Sequence, residues 1–437
     1  MFGRRRVARL LPCLIGAWSC TPADSAHPGP PWQTTFQTAG DTVVASTTGN
    51  VPDSLLRRLV LDWRAPGDST PDLLGDVGSI AVGPDGRVWV WDPASPALWL
   101  IEADGASLRR ISRPGSGPGE YRRANDIAVA RGGALVMWDD ENARLTIYNP
   151  DGSYRSSARL SFNDCCGLPV VVDSGNRIWL TTHPNQLGRK EKPFDPADFG
   201  KPQDLGYFRY DSTGAPLDTI LAPRLPGADG TVSALHVTKT SIGGSVQRVP
   251  YGTYPLYAAS PLGHVVAAMS RPYAVHSTAG GKPVRLTREF VPVPVAEEER
   301  AQRRASIEIR MRSIKSDFSW NGPEIPRDKP PIDDLAVGLD GRIWVQLSVP
   351  SEAYEPGPES SSSGPMRERG QTPPPAVKFR PGSKRWDVFE PDGRYLGRIA
   401  VAREVSLFAM RGDQVWGVRR NEDDVPVVVR MRIVPGL

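Results

Sequence analysis

The chain has 437 residues, 39% hydrophobic and 23% charged, with 53 Lys and Arg against 49 Asp and Glu. That composition supports a large buried core and excludes a disordered chain. The excess of basic residues comes from four arginines within the first nineteen residues. The remainder is balanced in sign, which excludes the basic footprint of a nucleic-acid binder.

Residues 1–19 read as a signal peptide. Arg4, Arg5, Arg6 and Arg9 precede a short apolar run, Leu10 to Trp18, and Ala17 and Ser19 form an A-x-S site before Cys20. The run is too short to span a bilayer, and no stretch of about 18 apolar residues follows. Cys20 stands where a lipoprotein carries its acylated cysteine, and simple secretion is the alternative. Export is expected either way, to the cell envelope (periplasm or outer membrane) or to the medium, with membrane contact only through that lipid. Residues 20–52, polar and rich in Pro, Gly, Thr and Ser, read as a flexible tether.

Residues 55–63, Leu-Leu-Arg-Arg-Leu-Val-Leu-Asp-Trp, read as an orphan strand. A repeating grammar follows: an apolar strand, a Gly/Asp turn, a strand carrying Trp, a loop, an apolar strand, a second Gly/Asp turn and a last strand. The first copy shows it in Val88-Trp-Val-Trp91 after Pro84-Asp-Gly86. Copies fall at about 77–112, 125–160, 167–220, 254–290, 332–400 and 404–434. Four short strands with hairpin turns are the unit of a propeller blade. The fold is therefore all-β, a six-bladed β-propeller. The sixth copy has only three strands, and the orphan strand is expected to complete it and close the ring. Gly and Pro abundance, 43 and 44 residues, suits this many turns.

Helical spacing of Ile307, Met311 and Ile314 marks one inserted helix at about 295–316. Residues 350–384, with Ser360-Ser-Ser-Ser-Gly364 and three consecutive prolines, read as a mobile loop. Antiparallel order puts the short Gly/Asp turns at one end of the ring. The long segments 183–206, 221–253, 291–331 and 349–384 then emerge together at the other end, where binding is expected.

Between the first two copies lies Arg113-Pro-Gly-Ser-Gly-Pro-Gly-Glu-Tyr121, followed by Ala124-Asn-Asp-Ile-Ala-Val129. This stretch resembles the connector of bacterial six-bladed propeller proteins, many of them lipoproteins, that are related to NHL-repeat propellers. The resemblance implies a six-bladed ring and leaves biochemical activity open. Gly115, Gly117 and Gly119 free the backbone, Pro118 stiffens it, and Glu120 is expected to accept backbone N–H bonds or to pair with Arg122 or Arg123. A phosphate-cradling loop is the competing reading, without the helix or Lys it needs.

Candidate chemistry is sparse. Cys165 and Cys166, after Asp164, lead into a channel-lining strand, and a bond between them would be strained, since adjacent Cα atoms lie about 3.8 Å apart. An oxidised plate beneath a ligand and two small thiols are both open. Asn125, Asp126, Asp333 and Asp334 begin inner strands. Their oxygens would suit Ca²⁺ in a channel-centred hydrolase or lyase of the lactonase kind. The five His show no ligand spacing and no Gly-x-Ser-x-Gly occurs, so no catalytic residue, metal or cofactor is assigned. The expected function is a monomeric, non-enzymatic binding scaffold for a protein, peptide or glycan, with the channel hydrolase as alternative.

Overall fold

A computed structural model of the protein describes residues 30–65, 74–160, 169–182, 205–226, 234–235, 247–354, 379–421 and 424–436. Five four-stranded antiparallel blades follow one another along the chain in up-and-down order, and a sixth has three strands consecutive in sequence. The first is Ser79–Val82, Val88–Asp92, Ala97–Ile101 and Leu108–Arg110. The second runs from Ala124–Val129 to Tyr154–Arg159, and the third from Val170–Val172 to Pro216–Leu221. The fourth runs from Pro255–Ala259 to Val284–Arg288, and the fifth from Ile332–Val337 to Tyr395–Val401. The sixth contains Val405–Arg411, Gln414–Arg420 and Pro426–Val434.

Burial follows position in the blade. Second strands such as Val88–Asp92, Leu135–Asp139 and Val265–Met269 are buried along their whole length, whereas the fourth strands Tyr154–Arg159 and Pro216–Leu221 are largely exposed at the rim. A second strand is covered by a neighbouring blade on each face, so it reads as a continuous apolar run. Trp89, Trp138, Trp179, Trp344 and Trp416 all come from second strands and head the fully buried side chains. Blade four has Val266 where three of these strands carry Trp as their second residue. Among the inner turns, Gly86 and Gly341 hold φ of 84° and 86°, a region an L side chain resists.

The ring closes as its strand count requires. Arg57–Ala65 pairs antiparallel with Pro426–Val434, from Arg58 opposite Val434 to Ala65 opposite Val428. The register shifts between Leu61 and Trp63, leaving Asp62 as a bulge. Its carboxylate lies 2.6 Å from Arg432 and 3.5 Å from Arg430, and the Arg430 guanidinium stands 5.5 Å from the Trp63 ring centre. Trp63 in turn lies against Gly105 of blade one, where a Cβ would come within 2.6 Å of the indole. The strand Arg57–Ala65 also pairs in parallel with blade five through Ile399 and Ala400.

The tether expected over 20–52 is corrected within the described residues. Gln33–Ala39 and Thr42–Thr48 form a hairpin, and its second strand pairs in parallel with Val284–Arg288, extending blade four to six strands. The Thr residues that gave the segment its polar look are β-branched, like the Val beside them, and suit strands. Ala45 and Leu286 are buried at this seam, so the hairpin covers an otherwise open edge.

The same corner holds a buried charge cluster. Asp387 of blade five receives Arg398 at 2.8 and 3.1 Å, the hydroxyl of Tyr395 at 2.7 Å and that of Tyr273 from blade four at 3.0 Å. Arg288 lies 3.5 Å from Asp387, stacks 4.0 Å over Tyr395 and donates to the Gly49 carbonyl just past the hairpin. One carboxylate thus links two blades and the N-terminal segment.

The inserted helix, α1, spans Glu297–Arg312. Glu297, Glu298 and Glu299 open it and Arg310 and Arg312 end it, in the order the helix dipole favours. Ile307 and Met311 are buried against Val249, Phe318 and Ile325, while Ile314, expected on that face, is exposed beyond the helix end. The expected mobile loop 350–384 is ordered at both ends: Ser351–Ala353 pairs with Phe379–Pro381, and Lys384 begins the third strand of blade five. Its middle, 355–378, lies outside the described residues.

Candidate functional site

Two concavities among the described residues bear on function. The first, about 390 Å³, is the central channel, lined by inner-strand residues from all six blades. Most are aliphatic, from Ile80 and Val82 through Val172 to Leu407, and the polar side chains are Ser79, Asn125 and Asp126. Asn125 is the bulged residue of its strand, because the register shifts between Ala124 and Asp126. Asp126 accepts from the Ser79 hydroxyl of blade one and, at 2.8 Å, from the Val170 amide of blade three. Burial pushes its carboxyl up to about 6 despite these donors. Asp126 therefore pins three inner strands together, a role that engages both of its carboxylate oxygens.

Asp333 and Asp334 stand in blade five, opposite blade two across the ring. Asp333 is again a bulge residue and takes Gln346 Nε2 at 2.6 Å, while Asp334 receives the Leu335 amide at 2.8 Å. Burial raises the pKa of both, although each residue keeps exposed surface. No hydrogen bond or ion pair among the described residues joins this pair to Asp126. Among those residues no three His, Cys, Asp or Glu side chains gather as a metal site would. Cys20, Asp164, Cys165 and Cys166 lie outside the described residues.

The connector is a structural element in its details. Glu120 accepts from the Gly117 amide at 2.8 Å and pairs with Arg113 at 2.8 Å. Arg113, not the expected Arg122 or Arg123, is its partner. The Gly117 amide and the Arg113 guanidinium hold the Glu120 carboxyl below the usual range. Arg123 is drawn instead to Asp140. Gly115 and Gly119 are required by close approach: a Cβ on the first would run into Glu120, and one on the second would lie 2.9 Å from Tyr154. Pro118 lies between Gly117 and Gly119 in the same bend. Asp139 then receives the Arg122 and Arg123 amides, as Asp92 receives those of Gly75 and Asp76 one blade earlier. These two aspartates ending second strands escaped the sequence reading, although the shared Trp-Asp ending of the strands was visible.

The second concavity is larger, about 540 Å³, and lies over blades four and five at the end where long segments emerge. Arg248 to Tyr251 and Tyr254 form one wall, Arg303, Ser306, Ile307 and Arg310 of α1 a second, and Lys329, Pro330, Asp333, Ser348, Val349 and Pro381 the floor. Residues 303, 306, 307 and 310 share one helical face by their spacing. Below the floor, Glu299 is buried and accepts from Tyr251 and, at 2.6 Å, from Ser351. Lys329 donates at 2.8 Å to both the Val349 carbonyl and Ser351, and lies 3.8 Å from Glu299. Burial lowers the Lys329 pKa, with Glu299 pulling the other way and Arg303 adding to the fall.

Three cations in this recess have no carboxylate partner among the described residues. Arg248 stacks 5.0 Å over Tyr254, Arg303 reaches the Tyr251 hydroxyl at 3.3 Å, and Arg310 donates to the Gln247 side-chain oxygen. Among the described residues no Asp or Glu oxygen approaches these guanidinium groups within 4.0 Å. Of the candidate site residues named from the sequence, only Asp333 belongs here. The arginines of α1 were visible only as helix charge, because nothing in sequence says which wall they will face.

A family model agrees with the six-bladed architecture over part of the chain. Residues 70–194 match the family model DUF5128, a 6-bladed beta-propeller. No curated protein is significantly similar in sequence. Among solved structures, a protein from Bacteroides fragilis assigned as exported is 14% identical, covering 90% of this chain and 99% of its own, with a TM-score of 0.46. A DUF4221 family member from Bacteroides vulgatus is 11% identical over 88% of this chain and 100% of its own, also at 0.46. A gluconolactonase from Xanthomonas campestris is 13% identical over 86% and 97%, at 0.36.

Proposed function

We propose that this chain, a six-bladed β-propeller of a bacterial family, is an exported binding protein that takes its ligand at the insertion face and not in the channel. The observation that supports this reading is the origin of the 540 Å³ recess: its walls come from α1 and the segments joining strands, not from the repeat itself. Segments added to a rigid ring at one end are where recognition is usually built. The channel offers less. Its lining is mainly aliphatic, and Asp126 already serves Ser79 and Val170.

Export rests on the charged and apolar residues before Cys20. Acylation at Cys20 would hold the ring at a membrane surface, and the ligand would then be a protein, peptide or glycan of the cell envelope. The runner-up, a hydrolase using channel carboxylates and Ca²⁺, makes the opposite prediction about place.

A thermal-shift screen of envelope glycans, peptides and small acids separates the two. Compounds that raise the melting temperature of the wild type should fail to do so with Ser306→Trp, which fills the recess. A Ca²⁺-dependent shift that survives Ser306→Trp and vanishes with Asp126→Asn would move the site to the channel and sink the insertion-face reading.

A further inference from the structure

We propose that the recess between α1 and blades four and five is a site for a sugar acid, specifically a short uronate-bearing oligosaccharide held by Arg248, Arg303 and Arg310. This rests on the insertion-face reading above and names the class of ligand that face would take.

Three features of the recess converge on that chemistry. The first is charge. Arg303 and Arg310 lie seven residues apart on α1, two helical turns or about 10.5 Å along its axis, and with Arg248 they present three guanidinium groups without a carboxylate partner among the described residues. Planar guanidinium forks match carboxylates bidentately. Two such forks spaced along one wall fit a ligand with more than one carboxylate better than a single anion.

The second feature is the acid in the floor. A recess for a simple anion gains nothing from Asp333, which would repel it. Asp333 has an acceptor oxygen to offer, and Ser306 and Ser348 add hydroxyls beside it. A ligand that brings both hydroxyl donors and carboxylates satisfies the two kinds of group together. The third is shape. At about 540 Å³ the recess suits a small ligand enclosed on several sides, not a protein surface laid flat. Tyr251 and Tyr254 give it the amphipathic ring surfaces on which sugars are commonly held.

Isothermal titration calorimetry on the protein from residue 21 onward tests this with three probes: trigalacturonate, the uncharged trigalactoside, and a tetraglutamate peptide. Trigalacturonate should bind, and binding should weaken at least tenfold with Arg303→Gln/Arg310→Gln and on raising salt from about 50 to 500 mM. The uncharged trigalactoside should not bind. Among the described residues these guanidinium groups make no ion pair, and the double variant gives up only the hydrogen bonds to Tyr251 and Gln247, so a melting curve of the variant separates a loss of binding from a loss of fold. Arg303→Lys/Arg310→Lys should bind between the two, since charge remains and the fork is lost. If tetraglutamate binds with the same arginine dependence and trigalacturonate does not, the sugar class is wrong while the insertion face stands. Binding of trigalacturonate that ignores the double variant, or no binding of it at all, overturns the proposal.

Discussion

The hydroxyl of Tyr273 in blade four donates to the Asp387 carboxylate of blade five at 3.0 Å, in a site sealed from water. Burial, and the carboxylate it faces, raise the Tyr273 pKa well above the ordinary phenol range, so the hydroxyl stays a donor at any working pH. Arg288 and Arg398 share the same carboxylate. Replacing Asp387 by Ala strands two nearly buried guanidinium groups, and the expected cost is about 3–5 kcal/mol. Tyr273→Phe removes one hydrogen bond and should cost about 1–2 kcal/mol. Urea unfolding of both variants checks the order, and a Tyr273→Phe loss equal to that of Asp387→Ala would refute the account.

Removing residues 30–50 uncovers the outer edge of blade four, where Val284 and Leu286 are buried under Ala45. It also takes the Gly49 carbonyl from Arg288. The shortened protein should melt several degrees lower and self-associate, because an apolar edge strand is left open. Light scattering and a melting curve read both effects. A true tether would be lost without consequence.

The pH dependence of Asp126 has a definite sign. Its carboxyl is raised by burial to about 6 in the folded ring, above an unfolded value of 3.8. The folded state therefore binds the proton more tightly, and stability from this group is full below about pH 4 and lost as pH rises through 6. Asp126→Asn, which cannot ionise, should gain stability relative to wild type between pH 4 and 7. Melting temperatures at half-unit intervals test this, and a constant gap between the two proteins would refute it.

Ring closure depends on Trp63 as well as on strand pairing. The indole lies between Arg430 of blade six and Gly105 of blade one. Trp63→Ala should cost roughly 2–4 kcal/mol through lost packing. Hydrogen exchange should then quicken first in Pro426–Val434, its pairing strand, and a uniform change across all blades would argue against a seam.

Much of the fold could be read along the chain because each blade is a local device. The Asp-Gly turns, the Trp-bearing second strands and the count that left 404–434 one strand short all depend on neighbours within about forty residues. The hairpin at 33–48 escaped although its own turn is local, because the sheet edge that its second strand covers, at 284–288, lies far away in sequence. The candidate site was less legible still. Asp126 and Asp333 were visible as polar residues opening inner strands, yet their partners, Ser79 and Val170 for one and Gln346 for the other, come from register and from adjacent blades.

The repeat, the number of blades and the strand that joins the two ends were all legible along the chain, because hydrophobic period and turn chemistry act over short distances. Which charges face one another emerged with the folded ring: Glu120 turns to Arg113, Asp387 gathers Arg288 and Arg398, and Arg248, Arg303 and Arg310 line one recess. Side-chain direction across separate blades follows from how the ring packs, and packing is a property of the whole molecule.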